Sequence, residues 1–265
     1  MEPIASLSTA EVRDTVPGVL ARLQAEGFPE AAAGTYVAGW LPASPAYLVG
    51  ALYAETGAGL ALTADELHWW LHVEGWTTGL SVSDSVRVLV GPGHPWSGQP
   101  NVETQVASAA VAQLTATALV AAVSTLVEAI RTSTRAGVVG LWHEVSDALA
   151  TSIVERESPA RPEEIQRLRE LVAVPIRPWK RLPRIELVES ARGPASVCHR
   201  GGCCQSFTAT SVDDAADEPD ELERAFQLAF PQVSGEPDYC GNCKFRSFDD
   251  VVNRFLWRRA QEPGG

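Results

Sequence analysis

Cysteine is missing from the first 197 residues; all five cysteines lie between Cys198 and Cys243. A disulfide-stapled secreted domain usually spreads an even number of cysteines along its length, so that class is disfavoured. Basic residues are also scarce: 21 Lys and Arg stand against 33 Asp and Glu, a net charge of −12. Binding to nucleic acid needs clustered cations to displace counterions from phosphates, so no nucleic-acid partner is expected. No Gly-x-Gly-x-x-Gly fingerprint follows a strand, which argues against a dinucleotide bound to this chain. The opening residues Met1-Glu2-Pro3-Ile4-Ala5 carry neither a positive n-region nor an apolar h-region, and the expectation is a cytoplasmic protein.

Long hydrophobic runs are nearly absent too. One uncharged stretch, residues 104–127, is long enough to cross a bilayer at 1.5 Å per residue. It is built of Ala, Val, Thr and Ser, with Gln105 and Gln113 inside, and lacks the Leu, Ile and Phe density that favours insertion. A buried or half-buried helix is expected, and no integral membrane span.

What remains is the composition of a globular protein: 265 residues, 45% hydrophobic and 20% charged, with 21 Gly and 18 Pro as ordinary loop punctuation. That length buries a sizeable core without staples. Residues 11–25 place Val12, Val16, Val19, Leu20 and Leu23 on one stripe of a helix, which Pro17-Gly18 should kink or break. A second helical stretch covers residues 46–53. Between residues 66 and 90 the texture turns β-branched and aromatic (69–73, 80–82 and 86–90), the pattern of short antiparallel strands. Residues 91–96 form a Gly/Pro-rich loop. Asn101 is placed to cap a long helix to about residue 130. A second helix follows over 138–156 as its antiparallel partner, and a third over 163–172 starts behind Pro162. The Pro-punctuated, locally basic segment 175–183 reads as a connector. The expected fold class is α+β: a helical, bundle-like body with a short antiparallel sheet over residues 1–185, and a Cys-rich module over 186–265 with an acidic insertion at 207–238. No internal repeat is present.

The chemistry concentrates in that second part. Cys198-His199-Arg200-Gly201-Gly202-Cys203-Cys204 is followed, after a long gap, by Tyr239-Cys240-Gly241-Asn242-Cys243. A Cys-x-x-Cys turn presents two thiolates at the spacing of one metal polyhedron edge, and Gly241 permits the tight backbone. Soft thiolates select zinc, Cu(I) or iron-sulfur clusters. On an extended strand Cys203 and Cys204 would point to opposite faces, so one site takes both only if the backbone bends, a role for Gly201 and Gly202.

The pair Cys203-Cys204, a spacer, and Cys240-Gly-Asn-Cys243 with a preceding Tyr resembles the C-terminal signature of the FhuF-like ferric siderophore reductases. Leu141-Trp142-His143-Glu144 stands where members carry a Leu-Trp-Gly-Asn-like helix start, with His143-Glu144 replacing Gly-Asn. The spacer departs from the short one of the family: residues 205–239 intervene, including an acidic run at 213–223 and an expected short helix at 219–230. Such an insertion loops out at small cost, about 0.6 kcal/mol per doubling of loop length. The resemblance implies a [2Fe-2S] cluster on Cys203, Cys204, Cys240 and Cys243. It implies one-electron reduction of Fe(III) in a ferric siderophore, such as a hydroxamate, with electrons from a separate ferredoxin or flavin reductase.

Cys198 stands as an alternative ligand because its spacing to Cys203 echoes plant-type ferredoxins, and His199 as another, as in Rieske centres. Arg200, Lys244, Arg246, Arg254, Arg258 and Arg259 are the cations expected to raise the cluster potential, and the same positive surface, Arg200, Lys244, Arg258 and Arg259 above all, to bind an anionic chelate. Trp142 and His143 are further candidate substrate contacts, although half-exposed helix residues are more often a solvated face. His68, His72 and His94 read as packing residues, and Trp69, Trp70, Trp76 and Trp96 as core before pocket. The rival readings are a non-enzymatic electron carrier with the same cluster and a zinc-stapled interaction module.

Overall fold

The computed structural model describes residues 6–154, 156, 158–179, 182–203, 205, 208, 221–232 and 239–261. Cys204, most of the acidic insertion and Lys180-Arg181 of the connector lie outside these. The fold is mixed α+β, with small sheets beside a larger helical body.

Strand β1 (Leu7–Ser8) leads into helix α1 (Thr9–Ala25), whose first turn is closed by a reciprocal pair: Glu11 N–H donates to Ser8 Oγ, and the Glu11 carboxylate accepts from Ser8 N–H. That satisfies two of the helix's orphan donors. The expected stripe Val12, Val16, Val19, Leu20 and Leu23 is buried. Of the two expected outcomes at Pro17-Gly18, the break does not occur: the helix runs from Thr9 to Ala25 as one element with Pro17 inside it, and the apolar stripe on both sides of Pro17 lies in the same core. Helices α2 (Glu30–Trp40) and α3 (Ala43–Thr56) follow, the latter enclosing the expected 46–53 segment. The Ala- and Gly-rich α2 has apolar or small residues around most of its girth, which left no stripe for a sequence pattern to show.

The β-rich quarter is divided between two sheets. Strands β3 (Leu67–Leu71) and β4 (Thr77–Val82) pair antiparallel, as expected, with Leu67 opposite Val82 and Trp69 opposite Leu80; β1 adds to β3. Strand β5 (Arg87–Val90) leaves this sheet, pairs antiparallel with β2 (Gly59–Ala61), and takes β6 (Val102–Thr104) as a parallel neighbour. The expected single meander is therefore corrected to two small sheets.

Because β6 occupies 102–104, Asn101 does not cap the long helix. It sits in the left-handed region at φ 59° and its Nδ2 donates to Asp84 O, while α4 (Ser108–Ser133) starts after Ala107. Helix α4 is, by length and composition, the one helix among the described residues apolar enough to cross a membrane, and 50% of its most apolar window is buried in the fold. It lies chiefly against α1 and β2. Helix α5 (Val138–Thr151) packs chiefly on α3 and α2, so the expected α4–α5 pairing is not its main contact. The α3–α5 crossing is close at Gly50: a Cβ there would sit 2.6 Å from Leu149 O and 2.7 Å from Ser152 Oγ, and only glycine lets the two backbones approach so far.

Helix α6 (Pro162–Val172) begins at Pro162 as expected and covers α3. The connector does more than join. Trp179 is buried in the shared core, and the chain continues into a hairpin of β7 (Arg184–Ser190) and β8 (Gly193–His199), with Ile185 opposite Cys198. The 185/186 boundary thus falls inside β7, whose Ile185 is buried in the body's core and whose carbonyl accepts two N–H groups from Arg169 of α6. Helices α7 (Glu221–Ala229) and α8 (Phe248–Gln261) pack on each other, and α8 also packs on the hairpin.

Candidate metal centre

Strand β8 delivers the chain from the core to the first cysteine segment. Cys198, its penultimate residue, is buried with the apolar core. Burial pushes its thiol well above the ordinary value, the Asp147 carboxylate adds to this, and Arg200 opposes it. A ligating thiolate at Cys198 would have to form against that environment, so the structure places this alternative ligand among the core side chains.

Beyond β8 the strand passes Arg200, Gly201 and Gly202 to Cys203, which is half-buried. This segment is bound to one face of α5. Asp147 Oδ1 accepts Gly201 N–H at 2.8 Å, and Asp147 Oδ2 accepts Gly202 N–H and Arg200 Nε–H, both at 3.1 Å. The other arm of the guanidinium donates to Glu144 Oε1 at 2.5 Å. Gly202 faces His143 so closely that a Cβ would lie 2.4 Å from the His143 Cβ. The face around 143–144, expected to be solvated, is therefore buried beneath the tail, and Trp142 is buried in the core.

The second cysteine segment is a turn closed by Cys243 N–H donating to Cys240 O at 3.1 Å. Arg246 ties its base, donating to Tyr239 O and Cys240 O, and pairs with Asp250 of α8. Cys240 is half-buried and Cys243 buried. The two segments meet through two hydrogen bonds. Arg200 N–H donates to Asn242 O at 3.0 Å, and His199 Nε2 lies 3.1 Å from Cys243 O; since a carbonyl only accepts, the imidazole carries its proton on Nε2. That nitrogen is committed to the backbone and not to a metal. Cys203 follows Arg200 by three residues, within about 11 Å at 3.6 Å per residue.

Among the described residues no group of three or more His, Cys, Asp or Glu side chains is gathered to hold a metal ion, and Cys204 lies outside them. In donor chemistry the residues fit a thiolate-bound centre: soft sulfur donors on two segments joined directly to each other, with a glycine at the turn whose Cα faces open space.

The cations distribute differently from expectation. Arg200 is spent on Glu144 and Asp147, and Arg246 and Arg254 on Asp250. Arg254 lies over Phe226 of α7 and Phe230 just beyond it, Arg258 lies 4.3 Å from the Phe226 centroid, and Arg259 is buried. Ten residues of helix separate Phe248, beside His199, from Arg258, about 15 Å at helical rise. Lys244 stays at the turn, its ammonium 4.9 Å from the exposed Phe245 ring, which packs on Tyr239.

The N-terminal aromatics pack locally. Trp69 is buried with Nε1–H on Thr9 Oγ1, His72 stacks on Trp76 at 3.9 Å, and His94 Nε2–H reaches Thr56 O. Asp147 was missed in the sequence, although a signal existed: Glu144 and Asp147 fall three apart on a helix whose Leu141, Val145 and Leu149 are all core. No family model, characterised protein or solved structure matches this chain, so the likeness to the siderophore reductases rests on the cysteine motif and the helix start alone.

Proposed function

We propose that the chain is a cytoplasmic ferric siderophore reductase whose Cys203, Cys204, Cys240 and Cys243 hold a [2Fe-2S] cluster. The observation that carries this reading is the direct hydrogen bonding between the two cysteine segments, Arg200 N–H to Asn242 O and His199 to Cys243 O, across a long stretch of intervening chain. When bound, the cluster supplies one electron to chelated Fe(III), giving Fe(II), which hard oxygen chelators such as hydroxamates hold far more weakly. The chain's own part is positioning. Asp147 and Glu144 hold the Arg200–Gly202 segment, Arg246 ties the base of the Cys240–Cys243 turn, and Tyr239, Lys244 and Phe245 form the outer surface beside it. A separate ferredoxin or flavin reductase supplies the electrons.

The test is direct. Protein purified without oxygen should contain two irons and two sulfides per chain, as a [2Fe-2S] cluster requires, and absorb visible light. After reduction by dithionite it should be reoxidised by ferric hydroxamates with stoichiometric capture of Fe(II) by a ferrous dye. A colourless protein with one zinc supports the stapled module instead. A coloured protein inert to every chelate supports an electron carrier.

A further inference from the structure

We propose that Asp147 is a positioning residue that clamps the 200–202 segment to the helical body, so that Cys203, the next residue along, is held from α5; this rests on the cluster reading above. Asp147 is 3% exposed, and its carboxylate is the common acceptor for three donors: the backbone N–H groups of Gly201 and Gly202 and the Arg200 guanidinium. Two consecutive backbone amides aimed at one anion form a small concave anion site, here filled by the chain's own side chain. Charge-assisted hydrogen bonds of this kind are about twice as strong as neutral ones. Helix α5 is a rigid platform for them, because Leu141, Val145 and Leu149 on its other side are buried in the main core.

Arg200 is the joint of the assembly. Its side chain bonds Glu144 and Asp147 on α5, while its backbone N–H bonds Asn242 in the Cys240–Cys243 turn. The body, the Cys203 segment and the Cys-x-x-Cys turn are thereby tied in series. The clamp also explains Gly202: its Cα rests on His143, and any Cβ would displace the segment from α5. One positive and two negative side chains are brought together, so Arg200 brings no net positive charge to the centre. Its role here is mechanical.

Two variants test this. Asp147→Asn keeps the shape but cannot accept from all three donors with charge. Gly202→Ala pushes the same segment off α5 without touching the carboxylate. In metal-free protein, hydrogen exchange at the Gly201 and Gly202 amides, resolved by NMR, should accelerate at least about tenfold in both variants, equivalent to about 1.4 kcal/mol, while amides of α5 hold their protection. Alkylation of the Cys203 thiol should accelerate in parallel. After anaerobic purification, iron and sulfide per chain should fall in both variants, and the spectrum of what remains should change. Unchanged exchange at 201 and 202 in Asp147→Asn overturns the clamp. Accelerated exchange with undiminished iron, sulfide and spectrum overturns its role in holding the ligands. A wild-type protein without iron and sulfide overturns the cluster reading itself, and the exchange result then judges the clamp on its own.

Discussion

Cys198 and Cys243 provide a matched comparison, since each is only 2% exposed, yet the two should respond to Ser substitution in opposite ways. Cys198 faces the main apolar core opposite Ile185, with its thiol held neutral by burial and by Asp147. Cys198→Ser puts a hydroxyl among apolar groups, which costs about 1–3 kcal/mol in proteins when it finds no good partner. With a urea dependence near about 3 kcal/mol per molar for a chain of this size, the unfolding midpoint should drop by about 0.3–1 M. Iron and sulfide content should stay at the wild-type level. Cys243→Ser should do the reverse: lose iron and sulfide, and shift the midpoint of the metal-free protein less, because its turn packs at the edge of the fold against His199 and Arg200. Cys198→Ala, which removes the sulfur without burying a hydroxyl, keeps the test alive if the Ser variant expresses poorly. Cys198 variants that remain folded but lose iron and sulfide as completely as Cys243→Ser would refute the reasoning, by showing Cys198 to be a ligand.

Arg258→Ala should loosen α7 from α8 and leave chelate affinity untouched, because the guanidinium covers Phe226 at 4.3 Å. Faster hydrogen exchange in α7 with an unchanged Kd for ferric hydroxamate is the expected result, and a tenfold affinity loss contradicts it. Glu164 makes a separate prediction for pH. Burial works to raise its pKa, but hydrogen bonds from Arg161 and Arg156 outweigh burial and hold the carboxyl below its ordinary 4.5. Its contribution is therefore fully present above pH 4.5 and is lost as the pH falls through the lower folded value. Urea midpoints of wild type and Glu164→Gln should differ at pH 7 and converge under acid; a constant difference down to the acid limit would show that the ion pairs do not drive it.

Most helices were legible because their burial is one-sided. The α1 stripe and the Pro162 start of α6 follow from spacing and proline geometry, and the structure carries both. Where the structure departs from the sequence pattern the cause is shared: a local signal takes a meaning that only a distant partner decides. Asn101 is a good cap by type, but residues 102–104 find an edge beside β5 and the helix must wait until Ser108. Residues 86–90 have the texture of a third meander strand, yet β2, contributed from before the meander, takes them into another sheet. The partner of α5 was likewise set by Gly50, which removes a side chain from α3 where Leu149 passes. A glycine inside a helix advertises no preference until the facing backbone is known.

At the candidate centre the residue types were legible and their use was not. Counting cations around the cysteines suggests a positive surface, because a count treats every charge as available. The fold assigns them otherwise: Arg200 to two buried carboxylates, Arg246 and Arg254 to Asp250, and Arg258 to an aromatic ring, leaving Lys244 beside Phe245 at the exposed edge of the turn. A guanidinium that already faces a carboxylate contributes little to the field felt by an approaching anion, whereas the net charge of −12 on the whole chain acts at long range. If the proposed reductase reading holds, recognition of a ferric chelate on this surface would rest on contact with Tyr239, Phe245 and Lys244 more than on attraction from afar, and chelates of zero net charge should be reduced faster than anionic ones, with the gap closing as salt is added.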